Sequence, residues 1–138
     1  MMNARRNQSL LPVLGLLAAL GLGAGCNTYS YFQVHVQLDN SFSTPRRARI
    51  HDCHLFVTGA ATSETTLKNC SPPPANDVGT FDYSTFADSG TVNFDLKLFE
   101  GTGEAIKLGE AMTSLAVSSG NTVKGEITVM YTGTDPMP

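Results

Sequence analysis

Along residues 29–132 apolar and polar side chains alternate in short runs, and they do not recur at helical spacing. The clearest run sets Phe32, Val34, Val36 and Leu38 against Gln33, His35, Gln37 and Asp39, which predicts a half-buried strand over 29–38. Val92, Phe94, Leu96 and Leu98 repeat the pattern against Asn93, Asp95 and Lys97. A Gly101-Thr102-Gly103 turn then leads into a weaker strand over 105–115, interrupted by Gly109, so the pair reads as a hairpin. After a turn at 118–121, Val123, Ile127, Val129 and Tyr131 mark a last strand on one face, with Gly125 inside it as a bulge or a close approach. Cys53, Leu55 and Val57 share a face of a strand over about 48–58. Ile50 falls on the other face, so either both faces are covered or a bulge near Asp52 shifts the register. Residues 59–80 are irregular: a short segment near 65–67 is followed by Pro72, Pro73 and Pro74, which exclude helix and central strand alike. About seven strands spaced roughly ten residues apart, without an amphipathic helix, predict an all-β fold, a single antiparallel β-sandwich.

A different pattern precedes these strands. Residues 10–24 carry no charge, are rich in leucine, and follow Arg5 and Arg6. That is the charged-then-apolar order of an export signal. A spanning helix needs about 20 apolar residues, whereas this run has roughly 15, with Pro12 near its start and Gly21, Gly23 and Gly25 at its end. The expected organisation is a cleaved signal helix over 1–25, an anchored N-terminus and short linker over 26–28, a β domain over 29–132 and a flexible tail over 133–138.

The segment Leu20-Gly21-Leu22-Gly23-Ala24-Gly25-Cys26 resembles a lipobox, the processing signal of bacterial lipoproteins. Ala24, Gly25 and Cys26 match it, while Gly23 stands where that family carries a bulky aliphatic residue. The resemblance implies that Cys26 becomes a lipid-bearing N-terminus, with palmitate among its acyl chains, and that the domain is held on a membrane. Asn27, where an Asp would retain a lipoprotein in the inner membrane, implies the outer membrane, on its periplasmic or surface face. Gly23 and Gly25 also satisfy ordinary signal peptidase, so simple secretion with a free Cys26 is the alternative. The chain holds three cysteines, and an odd thiol in an exported protein needs a reason. With Cys26 lipidated, Cys53 and Cys70 remain as a disulfide pair in an oxidising compartment.

Removal of the first 25 of 138 residues leaves 113, enough for one domain. The nine basic residues then lose Arg5 and Arg6, leaving seven against twelve acidic ones, a net charge of about −5. Such a balance disfavours nucleic acid as a partner, and Arg46, Arg47 and Arg49 form a short cluster without a basic stripe. The strand rhythm over 29–132 resembles immunoglobulin-like and transthyretin-like sandwiches; the absence of Trp removes the Cys, Trp, Cys arrangement of antibody domains.

Candidate chemistry is sparse. His51, Asp52, Cys53 and His54 place three metal-ligating types within four residues, but on a strand His51 and Cys53 share one face and His54 takes the other. His35 is the one further histidine, and a disulfide-bonded Cys53 is not a thiolate ligand, so no metal site is expected. Asp77, Asp82, Asp88 and Asp95 follow turns or face outward, and no nucleophile elbow, phosphate-binding glycine loop or His-Glu-x-x-His sequence occurs. Tyr29, Tyr31, Phe81, Tyr83 and Phe86 offer a small aromatic platform without Trp. The expectation is a noncatalytic, lipid-tethered envelope module without a cofactor, meeting a protein partner through a sheet edge or its loops. The alternatives are a module for a small ligand, glycan or metal, and an accessory lipoprotein of a secretion machine, by resemblance to the transthyretin-like outer-membrane lipoprotein of type VI systems.

Overall fold

A computed structural model of the chain describes residues 28–67, 70–101 and 106–138. The expected signal segment, Cys26 and the Thr102-Gly103 part of the expected turn lie outside the described residues. Seven strands follow one another as β1 (Ser30–Leu38), β2 (Asp52–Gly59), β3 (Ser63–Thr66), β4 (Asp77–Thr85), β5 (Thr91–Glu100), β6 (Ile106–Ala116) and β7 (Thr122–Tyr131), with a five-residue helix, α1 (Thr44–Ala48), between β1 and β2. The fold is all-β, a mixed sheet of order β3-β2-β5-β6-β7-β1-β4 curled into a half-barrel.

The alternating runs become strands because each offers one face to a common interior. Phe32, Val34, Val36 and Leu38 of β1 are buried, as are Cys53, Leu55 and Val57 of β2, Val92, Phe94, Leu96 and Leu98 of β5, and Ile127 and Val129 of β7. Phe94 joins the two ends of the sheet: its ring centroid lies 5.5 Å from Phe32 of β1, and 5.8 and 5.7 Å from Phe81 and Tyr83 of β4. Because β5 is third in the sheet order and β1 and β4 are last, these contacts require the sheet to fold over on itself.

One ladder departs from the antiparallel expectation. β1 and β7 run parallel, from Tyr31 beside Thr122 to Leu38 beside Val129. A short turn forces antiparallel neighbours, but no turn links the first strand to the last, so that constraint is absent. β6 and β7, joined by a turn, are antiparallel yet share only two residue pairs, Gly109 with Tyr131 and Glu110 with Met130.

Gly109 sits where β6 meets β7. A Cβ there would fall 2.6 Å from the Met130 carbonyl oxygen and 2.8 Å from Val129 Cγ1, so a side chain would push the two strands apart. The β5–β6 register shifts beside it: Leu98 faces Gly109 and Phe99 faces Lys107, leaving Leu108 as the extra residue, fully buried. Gly125 is a close approach, since a Cβ would lie 2.7 Å from Leu115 Cδ1.

The second strand starts later than its sequence pattern predicts. Pro45 lies in the first turn of α1, where a missing N–H costs nothing, and the chain leaves the helix with the Ile50 amide donating to the Arg47 carbonyl. Ile50 is therefore buried from a loop. Neither a strand covered on both faces nor a bulge at Asp52 is needed to explain its phase.

Candidate functional site

The two ends of the sheet order, β3 and β4, flank a groove of about 510 Å³ along the open seam of the half-barrel. Val36, Leu55, Leu67, Val78, Phe81 and Tyr83 give it apolar walls, Cys70 adds to them, and Thr65, Thr66, Thr80 and Asp82 bring polar groups. β3 is four exposed residues paired with β2, from His54 beside Thr66 to Val57 beside Ser63. β4 pairs with β1 from Ser30 beside Thr85 to Gln37 beside Asp77, with a register shift between Val36 and Gln37. Each strand is therefore paired along one side in the sheet.

Cys53 and Cys70 are joined by a disulfide with Cα atoms 6.0 Å apart, and both are buried. The bond holds the loop after β3 against β2, and the Leu67 amide donates to the Cys53 carbonyl at 3.0 Å beside it. Neither His51 nor His54 lines the groove. His54 faces outward, with Nδ1 3.2 Å from Glu64 Oε1 and its ring edge-on to Phe99 at 5.5 Å. His35 sits across from β4, with Nδ1 3.2 Å from Thr80 Oγ1 and Nε2 3.3 Å from Asp77 Oδ1. Among the described residues no group of three His, Cys, Asp or Glu side chains is placed to hold a metal ion. Of the four aspartates considered in the sequence, Asp82 reaches the groove, Asp77 meets His35, Asp95 meets Lys97 at 3.4 Å, and Asp88 is exposed in the turn after β4. The groove thus offers apolar contact, threonine hydroxyls and one carboxylate.

No family model, curated protein or solved structure matches the chain.

A second concavity, about 560 Å³, lies beyond the C-terminal end of β1, lined in part by Ser41, Arg46, Arg49 and Asp135. Here the arginine cluster is consumed by structure. Arg49 donates to both carboxylate oxygens of Glu100, at 3.0 and 2.6 Å, to the Tyr131 hydroxyl at 2.6 Å and to the Thr134 carbonyl at 3.0 Å. Arg46 forms a two-pronged pair with Asp135, and its guanidinium carbon sits 4.2 Å from the centroid of the Tyr131 ring. Arg47 donates to Asn76 Oδ1 at 2.7 Å and so joins the helix to the end of the proline loop. The side-chain partners Asn76 of Arg47 and Asp135 of Arg46 lie 29 and 89 positions away, so the cluster's role is not visible in local sequence.

Hydrogen bonding from Arg49 holds the Glu100 carboxyl below its usual 4.5, and hydrogen bonding from Arg46 does the same to Asp135, usually 3.8. Burial raises the Tyr131 hydroxyl, reinforced by its hydrogen bond to Asp135. Both carboxyls are lowered on folding, so the stability they contribute is complete above their unfolded values and is lost as pH falls through the folded ones. Thermal midpoints between about pH 6 and pH 3 should fall less steeply in a Glu100→Gln, Asp135→Asn double variant than in the wild type. Parallel profiles would show that this arginine latch, the Arg46–Asp135 and Arg49–Glu100 pairs, adds no acid-sensitive stability.

Proposed function

We propose that this chain is a lipid-tethered, noncatalytic module of the bacterial cell envelope, carried on the outer membrane by Cys26, and that it receives an extended segment of a protein partner in the seam between β3 and β4. The observation that carries the binding role is the pairing of two sheet edges around one apolar groove. An added strand would gain main-chain hydrogen bonds from an edge and side-chain contacts from Val78, Phe81 and Tyr83. β3 is short and β4 places the Asp82 carboxylate at the groove, features that discourage pairing with arbitrary strands and leave a selective edge. The two-pair ladder between β6 and β7 supports reading the sheet as two layers, β3-β2-β5-β6 facing β7-β1-β4, in the manner of a transthyretin-like sandwich.

The tether is tested by intact mass of protein isolated from membranes, before and after reduction and alkylation, beside a Cys26→Ala control. An N-terminus at Cys26 with added acyl mass is expected, and an unmodified Cys26 would overturn the tether. For the seam, a photocrosslinking residue is placed at Thr66 or Thr80 in intact cells, with Thr128 on β7 as the comparison. A discrete adduct from both groove positions and none from Thr128 is the expected outcome. Equal labelling at all three would remove the seam from consideration.

The volume of the groove also favours a second reading, since small-ligand pockets run to about 300–1,000 Å³ and are lined mainly by apolar groups. In that case groove residues would crosslink to a small molecule and yield no protein adduct.

A further inference from the structure

We propose that Tyr29, Tyr31 and Phe86 form an aromatic foot that rests in the headgroup region of the bilayer and sets the domain upright on its anchor. This inference rests on the reading of Cys26 as the lipid-bearing residue. The three rings are among the large apolar side chains the domain leaves exposed, at 39%, 48% and 57%. They cluster, with Tyr29 and Phe86 centroids 3.8 Å apart and Tyr29 and Tyr31 centroids 6.1 Å apart. Tyrosine, apolar along its body and polar at its tip, is a side chain enriched where hydrocarbon meets water.

A second observation concerns charge. Four segments meet at this end of the domain: 28–31, 59–63, 84–92 and 115–123. Gly120 donates to the Tyr29 carbonyl at 3.0 Å, the Ser30 hydroxyl donates to the Ala87 carbonyl at 3.2 Å, and the Val117 and Ala60 amides donate to the Gly90 and Thr91 carbonyls, each at 2.9 Å. Across all four, Asp88 is the single charged residue. The opposite end carries the arginine latch with Glu100 and Asp135. The domain is thus polarised along its strands, with its nearly uncharged end next to the anchor.

Tether length decides what covers the foot. Cys26 precedes Tyr29 by three residues, a reach of at most about 11 Å. Even a single helix has a diameter of roughly 10–12 Å with its side chains, so a folded partner does not fit between this end and the membrane. Lipid headgroups do.

The chain contains no Trp, so Phe86→Trp introduces a sole tryptophan, excited apart from the four tyrosines, at an exposed position. The lipoprotein carrying it is reconstituted into phosphatidylethanolamine–phosphatidylglycerol vesicles with and without brominated acyl chains. Met137→Trp, exposed at the other end, is the comparison. A blue-shifted emission that loses on the order of half its intensity to bromine is expected for Phe86→Trp, with Met137→Trp unquenched. Emission from Phe86→Trp as red and as unquenched as that from Met137→Trp would overturn the foot. Intact mass of the same sample reports the tether separately. Should Cys26 prove unmodified, its thiol, the one left by the Cys53–Cys70 disulfide, is coupled to a maleimide phospholipid and the quenching measured again. Quenching then sustains the foot as a property of this surface although the natural tether has failed, and its absence overturns the foot as well.

Discussion

Replacement of Phe94 by alanine is expected to destabilise the domain by about 3–5 kcal/mol, the range for removing a buried aromatic ring. Phe94 is fully buried and meets rings from β1 and β4 across the fold of the sheet. Its removal leaves a cavity between elements that other ladders hold in place, so collapse into the space is restricted. Domains of this size are stable by about 5–15 kcal/mol, and the loss is a large share of that. Denaturant titration followed by near-ultraviolet circular dichroism checks it. Met112→Ala, on the exposed face of β6, should stay within about 0.5 kcal/mol of the wild type. A Phe94→Ala loss below about 1 kcal/mol would mean that the sheet does not close through this ring.

Loss of the Cys53–Cys70 bond should cost on the order of 3 kcal/mol, the chain-entropy figure for a loop of 17 residues. The bond also acts locally. Cys70 anchors the start of the proline loop, where the Ser71 hydroxyl donates to the Ile50 and His51 carbonyls and Pro73 is buried. The Cys53→Ala, Cys70→Ala double variant and the reduced wild type should therefore share a lowered denaturant midpoint. Amide exchange should accelerate most in β3 and Leu67, at the edge of the groove. Uniform acceleration across all strands would instead assign the bond a purely global role.

Periodicity revealed β1, β5 and β7 because each buries alternate side chains against one interior. β4 was harder to read. It lies at an end of the sheet, where Val78, Phe81 and Tyr83 are only half-buried, and its register shifts opposite Val36 and Gln37. The start of β2 was misplaced because Ile50 is apolar for a loop reason, beneath the turn that follows α1. Cysteine counting identified the disulfide pair, since its logic needs no coordinates. The parallel β1–β7 ladder and the groove were not legible, because both depend on which distant segments meet. Leu67 and Phe81 come to line the same groove only after the sheet has curled. Tyr29, Tyr31 and Phe86 were visible as types, while their clustering at a nearly uncharged end required the fold.

The parallel ladder also bears on when the molecule becomes complete. Thr28 and Ser119, which meet just before it begins, are 91 positions apart, and β1 remains without its neighbour on that side until β7 is available. A chain emerging N-terminus first therefore keeps one edge of its first strand unpaired through nearly the whole of its synthesis. Closure across so long a stretch is slow by comparison with hairpin formation. The hairpin of β5 and β6 is free to form early, but one edge of β1 waits for the last strand, and a chaperone that covers that edge in the interval would act on the step most exposed to aggregation.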